Sequence, residues 1–313
     1  MIRPSIALAL SAGAVVTLVA QQQGPVFRVT RDTVPVFVTV TDKDNRLASG
    51  LAREDFQVFD GGKSQALTVF DSTPQPVRLI VLLDVSGSMV GNLNLLRAAC
   101  EQLFIRLGPN DRARVGMFGK DITISPEFTR DPRQLVAALP TEIAPDAPTP
   151  LWRAVDTAMT ELAGIDERRV ILVLSDGKDT GPRKLLEKFI GQLDVVERAR
   201  REEVMVYGIG LRSRGQPLPM GPGADIKAAM VADLPDPGLG TAALETGGGY
   251  FEIRPRDDLG AAFARVIDEL HSQYMLGFSP PARDGKEHKI EIKVTKKDLK
   301  PRARKSYIAP RDK

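Results

Sequence analysis

Cysteine is almost absent from this 313-residue chain: the single one, Cys100, excludes an intrachain disulfide and lies too far from the N-terminus to serve as a lipid-attachment site. Leu96, Ala99, Cys100, Leu103, Phe104 and Leu107 recur at helical spacing, which assigns Cys100 to a core rather than to thiol chemistry. Histidine is nearly as scarce. His271 and His288 both lie beyond the last expected strand of the sheet, where a base is not expected to reach a nucleophile at the strand ends. The phosphate-cradling Gly-x-x-x-x-Gly-Lys and the nucleophile elbow Gly-x-Ser-x-Gly are also missing. No apolar run reaches the roughly 20 residues that a membrane-spanning helix needs. A net charge of +3 favours no particular class of partner.

What is present suits a globular chain with one sizeable core and a smaller companion, since 42% of the residues are hydrophobic and 27% charged. The basic excess is local. KVTKKDLKPRARK near the C-terminus could suggest nucleic acid, but Ile290, Ile292 and Val294 alternate with Glu291 and Lys293 as a half-buried strand does. No nucleic-acid partner is expected. Residues 1–20 combine Arg3 with an apolar, small-residue stretch from Ile6 to Ala20 and are followed by Gln-Gln-Gln-Gly-Pro. That pattern is a secretory leader, so the mature chain is expected outside the cytoplasm, secreted or in the cell envelope.

From residue 25 to 76 the pattern is β. Val34 to Thr41 is rich in β-branched residues, and Asp60-Gly61-Gly62 is a turn expected to join Phe56–Phe59 to Ala66–Phe70 as a hairpin. Asp42-Lys-Asp-Asn45 lacks the glycine and distal glutamate of a calcium loop and reads as a plain turn. From 77 to 272 strands alternate with helices, the pattern of a mostly parallel, doubly wound sheet covered on both faces. Strands are expected at 77–83, 113–118, 121–125, 169–175, 204–210 and 249–253. Helices are expected at 91–107, 131–139, 151–163, 183–201, 241–246 and 257–272, with a long Gly- and Pro-rich loop at Arg212–Gly240. Residues 273–313 return to β character, with strand candidates Lys289–Thr295 and Arg302–Ile308. A lone hairpin is marginal in water, so these should pair with the N-terminal β module in one small sheet or sandwich.

The chemistry concentrates where buried strands end. Leu79 to Leu83 is a continuous aliphatic run of the kind buried in a parallel sheet, and Asp84, Ser86 and Ser88 follow at once, with Gly87 allowing a sharp bend. A second apolar run, Val170 to Leu174, ends in Ser175-Asp176-Gly177, and Thr149 stands just ahead of a helix start in which Pro150 takes the favoured first position. Ligands in open α/β sheets bind beyond the carboxyl ends of the strands. Oxygen donors with few charges suit Mg²⁺, with Mn²⁺ or Ca²⁺ as alternatives. Asp179 reads as a capping carboxylate and Trp152 as packing at its helix start.

Asp84-x-Ser86-x-Ser88 followed by Thr149 and Asp176 resembles the metal-ion-dependent adhesion site of von Willebrand factor type A (VWA) domains, and the flanking β segments resemble exported bacterial proteins of that kind. The resemblance implies that Ser86, Ser88, Thr149, Asp84 and Asp176 bind one divalent cation, directly or through water. It further implies that a protein partner completes the shell with an Asp or Glu carboxylate. A non-enzymatic binding or adhesion protein is therefore expected. A magnesium-dependent, phosphatase-like hydrolase is the alternative, although the second acid of such enzymes is replaced here by Ser86. A structural envelope scaffold is the third reading.

Overall fold

The computed structural model describes residues 33–181, 188–212 and 235–311. The leader segment and most of the Arg212–Gly240 loop lie outside them. In chain order, the N-terminal flank carries β1 (Val34–Thr41), β2 (Phe56–Asp60), β3 (Lys63–Gln65) and β4 (Leu67–Asp71). The central segment follows as β5 (Val77–Asp84), α1 (Leu93–Phe104), β6 (Arg112–Phe118), β7 (Ile122–Ile124), α2 (Pro132–Ala137), α3 (Leu151–Glu161) and β8 (Arg168–Ser175). It ends with α4 (Gln192–Arg201), β9 (Met205–Leu211), α5 (Pro237–Thr246), β10 (Tyr250–Ile253) and α6 (Leu259–His271). The C-terminal flank supplies β11 (Tyr274–Phe278), β12 (Glu287–Val294), β13 (Lys300–Arg302) and β14 (Ser306–Ile308).

The central sheet has the order β10-β9-β8-β5-β6-β7 and is parallel except for β7. Both faces of β5 are buried, because alternate residues point into different cores. Leu79, Val81 and Leu83 join one cluster with residues of α1 and α6, while Ile80 and Leu82 join another with residues of α3, α4 and α5. The result is a three-layer doubly wound α/β fold. After β5 the chain moves outward to β6 and β7, then crosses back to place β8 on the other side of β5, so the order reverses between β5 and β8. Such a reversal leaves a crevice at the carboxyl ends of the two strands.

The flanks pair with each other in two four-stranded sheets, β13-β1-β11-β4 and β14-β12-β2-β3, whose inward side chains share one apolar cluster that includes Val36, Val58, Leu276, Phe278 and Tyr307. This sandwich sits against the end of the central sheet opposite the β5–β8 crevice. There Gln273 Nε2 donates to Thr39 Oγ1 at 2.6 Å and to the Tyr207 hydroxyl at 3.2 Å. Arg168 donates to the Leu270 carbonyl at 3.0 Å and stacks over the Phe37 ring at 4.3 Å.

Several local expectations need correction. The hairpin after Phe56 is made with β3, through a two-residue Gly61-Gly62 turn with φ of 54° and 81°, whereas β4 crosses to the other sheet and pairs with β11. β11 was not anticipated as a strand, and Arg302–Ile308 splits into β13 and β14 around a non-strand interval. The described part of the helix expected at 183–201 begins only at Gln192, and the short helix expected at 241–246 runs over ten residues from Pro237, where Asp236 caps it by accepting from the Gly238 N–H at 2.8 Å. The start expected at residue 91 is a 3₁₀ turn over Gly87–Asn92, with α1 beginning at Leu93.

Candidate metal centre

β5 delivers Asp84 to the crevice as its last residue, with no exposed surface. The chain then turns, and the Ser86 N–H donates back to Asp84 Oδ1 at 2.8 Å, which fixes the carboxylate against the turn that carries both serines. Ser86 Oγ and Ser88 Oγ lie 3.1 Å apart, and Ser88 Oγ donates to Asp176 Oδ1 at 2.6 Å across the gap from β5 to β8. Four of the five expected ligands are thus joined by a continuous chain of hydrogen bonds. Thr149 comes from a third loop, two residues ahead of α3. Its carbonyl accepts from Thr180 N–H at 3.0 Å, and a Cβ placed on Gly177 would lie 3.1 Å from its Oγ1, so this hydroxyl borders the residue directly after Asp176.

Gly87 has a reason that the sequence reading did not supply. Its φ is not positive, so a sharp bend is not what demands glycine. A Cβ there would fall 1.9 Å from the Pro145 carbonyl oxygen, and the Gly87 N–H donates to the Ala147 carbonyl at 3.0 Å. The missing side chain lets the 140–150 loop lie directly on the serine turn, which brings Thr149 toward the other expected ligands.

Ser175 is a functional candidate that sequence reasoning left without a role. Its hydroxyl donates to Asp84 Oδ2, while Asp179 Oδ1 accepts from the Trp152 N–H at 3.3 Å, in the capping position expected of it. Trp152 is buried in the core beside α5.

Electrostatically the centre holds two carboxylates short of positive charge. Burial pushes Asp84 up to about 6; hydrogen bonds from Ser175 and Ser86 oppose that rise and the neighbouring Asp176 adds to it. Burial likewise raises Asp176 against the hydrogen bond from Ser88. A cation between them would relieve both. Among the described residues no group of three or more His, Cys, Asp or Glu side chains is arranged to hold a metal. Any ion here must rely on hydroxyls beside the two carboxylates. That all-oxygen, low-charge donor set fits Mg²⁺, which retains several waters, better than a metal selected by thiolate or imidazole.

Neither histidine belongs to the centre. His271 Nε2 lies 2.7 Å from Asp111 Oδ2, and Asp111 Oδ1 accepts from the N–H of Val77 at the opposite end of β5, about 23 Å from Asp84 at the usual strand rise. His288 sits in the sandwich between Asp60 and Asp284, at 3.3 and 3.2 Å.

Residues 61–205 match the family model described as VWA domain containing CoxE-like protein. No curated protein matches the chain. Among solved structures, the conserved hypothetical protein BatB from Bacteroides thetaiotaomicron aligns with 20% identity and a TM-score of 0.46, over 62% of this chain and 98% of its own. The SpRpn10 VWA domain aligns with 14% identity and a TM-score of 0.41, over 59% and 92%. Proximal thread matrix protein 1 from the mussel byssus, in a form whose MIDAS motif is occupied by zinc, aligns with 13% identity and a TM-score of 0.43, over 66% and 48%. The matched stretch runs from the β2–β3 turn to the first residue of β9 and takes in the β5–β8 crevice, so this part of the chain is a VWA domain.

Proposed function

We infer that the protein binds one divalent cation, Mg²⁺ in the first instance, through Asp84, Ser86, Ser88, Thr149 and Asp176, and uses it to capture a carboxylate of a protein partner. The observation that carries this reading is the Ser88–Asp176 contact of 2.6 Å, which brings the Asp-x-Ser-x-Ser turn and the second strand-end carboxylate to one point in the crevice. When bound, the cation supplies a fixed positive charge that attracts an anionic side chain more strongly than an exposed salt bridge does. The chain's own residues do the rest. The Ser86 N–H and the Ser175 hydroxyl orient Asp84, the 140–150 loop brings Thr149 alongside, and the buried strand ends keep bulk water from one side of the centre.

A binding role is favoured over hydrolysis because neither histidine stands at the centre, His271 being held by Asp111 and His288 by Asp60 and Asp284, and both carboxylates there are assigned to the cation. Export is part of the proposal, resting on the leader-like residues 1–20; among the described residues no helix is long and apolar enough to cross a membrane. The test is calorimetric titration of wild type, Asp84→Ala and Thr149→Ala with Mg²⁺, followed by capture of envelope proteins with and without chelator. Asp84→Ala should abolish cation uptake. Thr149→Ala should weaken partner capture more than it lowers the melting temperature. Capture that is unchanged by chelator would refute the mechanism.

A further inference from the structure

Ser175 closes β8 and is only 1% exposed, and its hydroxyl lies closer to the Asp84 carboxylate than to its other acceptor, the Gly177 carbonyl at 3.3 Å. It donates to Asp84 Oδ2, and its oxygen accepts from the Gly177 N–H at 3.2 Å. Asp84 Oδ1 is meanwhile held by the Ser86 N–H. Each oxygen of this carboxylate is therefore tied to a different segment, one to the turn after β5 and one to the last residue of β8. The terminal torsion of an aspartate is otherwise broad, so it is these two bonds that fix the plane of the carboxylate.

We propose that Ser175, which lies outside the five-residue ligand set, is a positioning residue for the cation through Asp84 and biases the centre toward Mg²⁺ over Ca²⁺. The inference rests on the cation reading given above. Its logic is geometric. Mg²⁺ demands near-octahedral geometry at short distances, whereas Ca²⁺ accepts variable ligand number and longer, flexible bonds. A carboxylate clamped at both oxygens suits the first ion. Released from Ser175, Asp84 can rotate, which costs Mg²⁺ more than Ca²⁺. Outer-shell hydrogen bonds of this type are typically worth about 10- to 100-fold in metal affinity.

The experiment is calorimetric titration of the full chain, wild type against Ser175→Ala and Ser175→Cys, with Mg²⁺ and separately with Ca²⁺, alongside thermal unfolding in chelator. Alanine removes volume and cysteine adds it, but both replace a strong donor by none or a weak one, so an effect common to the two variants reports the hydrogen bond rather than packing. Both variants should lose about 10- to 100-fold in Mg²⁺ affinity and distinctly less for Ca²⁺. A structural defect alone would weaken both ions equally, and that result, or Mg²⁺ affinity within about twofold of wild type, overturns the role of Ser175. Wild type that takes up neither ion refutes the cation reading itself, a failure distinguishable from the first.

Discussion

Replacing Gly87 by alanine adds one methyl group at the most confined point beside the centre. The new Cβ would stand 1.9 Å from the Pro145 oxygen and 2.7 Å from its carbonyl carbon, and since both are backbone atoms no side-chain rotation relieves the clash. Either the 140–150 loop lifts and breaks the Gly87–Ala147 hydrogen bond, or the serine turn moves away from Asp176. Overpacking of this kind costs about 1–3 kcal/mol, which in a domain of this size lowers the melting temperature by roughly 2–12 °C. Both forms of relief separate Thr149 from Ser86 and Ser88, so Mg²⁺ affinity should fall at least about tenfold, the lower end of what misplaced supporting groups cost a metal site. Gly91 provides the control. It lies in the same 3₁₀ turn with nothing within 4 Å of an added Cβ, and Gly91→Ala should change stability by no more than about 0.5 kcal/mol. Thermal unfolding in chelator and Mg²⁺ titration of the two variants decide the matter. If Gly87→Ala melts and binds as Gly91→Ala does, the loop is not held by close approach and the account of Gly87 is wrong.

Asp111→Ala should destabilise the protein by about 3 kcal/mol, because it leaves the Val77 and Gly108 N–H groups and His271 without their buried acceptor; chemical denaturation measures it. Burial alone would raise the Asp111 carboxyl, but hydrogen bonds from His271, Val77 and Gly108 outweigh it and hold the group below the ordinary 3.8. Its contribution is therefore complete above that value and lost as pH falls through the lower folded value, so the gap between wild type and Asp111→Ala should narrow in acid below about pH 4. Glu269, fully buried and paired with Arg302 and with Arg265 at 3.3 Å, should cost about 3–5 kcal/mol on mutation to alanine, seen as a lower denaturant midpoint. Tyr274→Phe should cost about 1–3 kcal/mol in the same assay, since the Leu51 N–H loses the tyrosine oxygen it donates to at 3.2 Å.

The central strands were legible in the sequence because burial on both faces forces continuous aliphatic runs, and a carboxylate directly after such a run marks the strand end. The loops that carry the five candidate residues were legible for the same reason. What could not be read depended on contacts distant in sequence. Tyr274–Phe278 is a short apolar run following a helix, and nothing local separates a further helical turn from a strand that inserts between β1 and β4. Lys63–Gln65 carries no apolar alternation and is a strand only because the Gly61-Gly62 turn folds it onto β2. The role of Gly87 depends on Pro145 in another loop, and that of Ser175 on Asp84 at the end of another strand. The nearest signal was the serine itself: a polar residue at the last position of a fully buried strand needs a partner, and the only polar groups expected close by were those of the neighbouring strand end.

The pairing of the two flanks makes the VWA domain an insertion within a sandwich, and this dictates an order of events in folding. β1 to β4 are synthesised first, but β1 and β4 pair with β11, and β2 pairs with β12, so their edges stay open until the last strands emerge. The inserted domain closes that gap. One carboxylate, Asp111, holds the N–H of Val77 at its first strand and the ring of His271 at its last helix, so a folded insertion delivers both flanks to the same pole. From there strand pairing is an intramolecular step at high effective concentration. Refolding should accordingly show a fast phase reported by the central helices and a slower one reported by the sandwich. Conversely, opening the insertion removes the restraint that holds β1 beside β11, so loss of the central domain should weaken the sandwich and expose its strand edges.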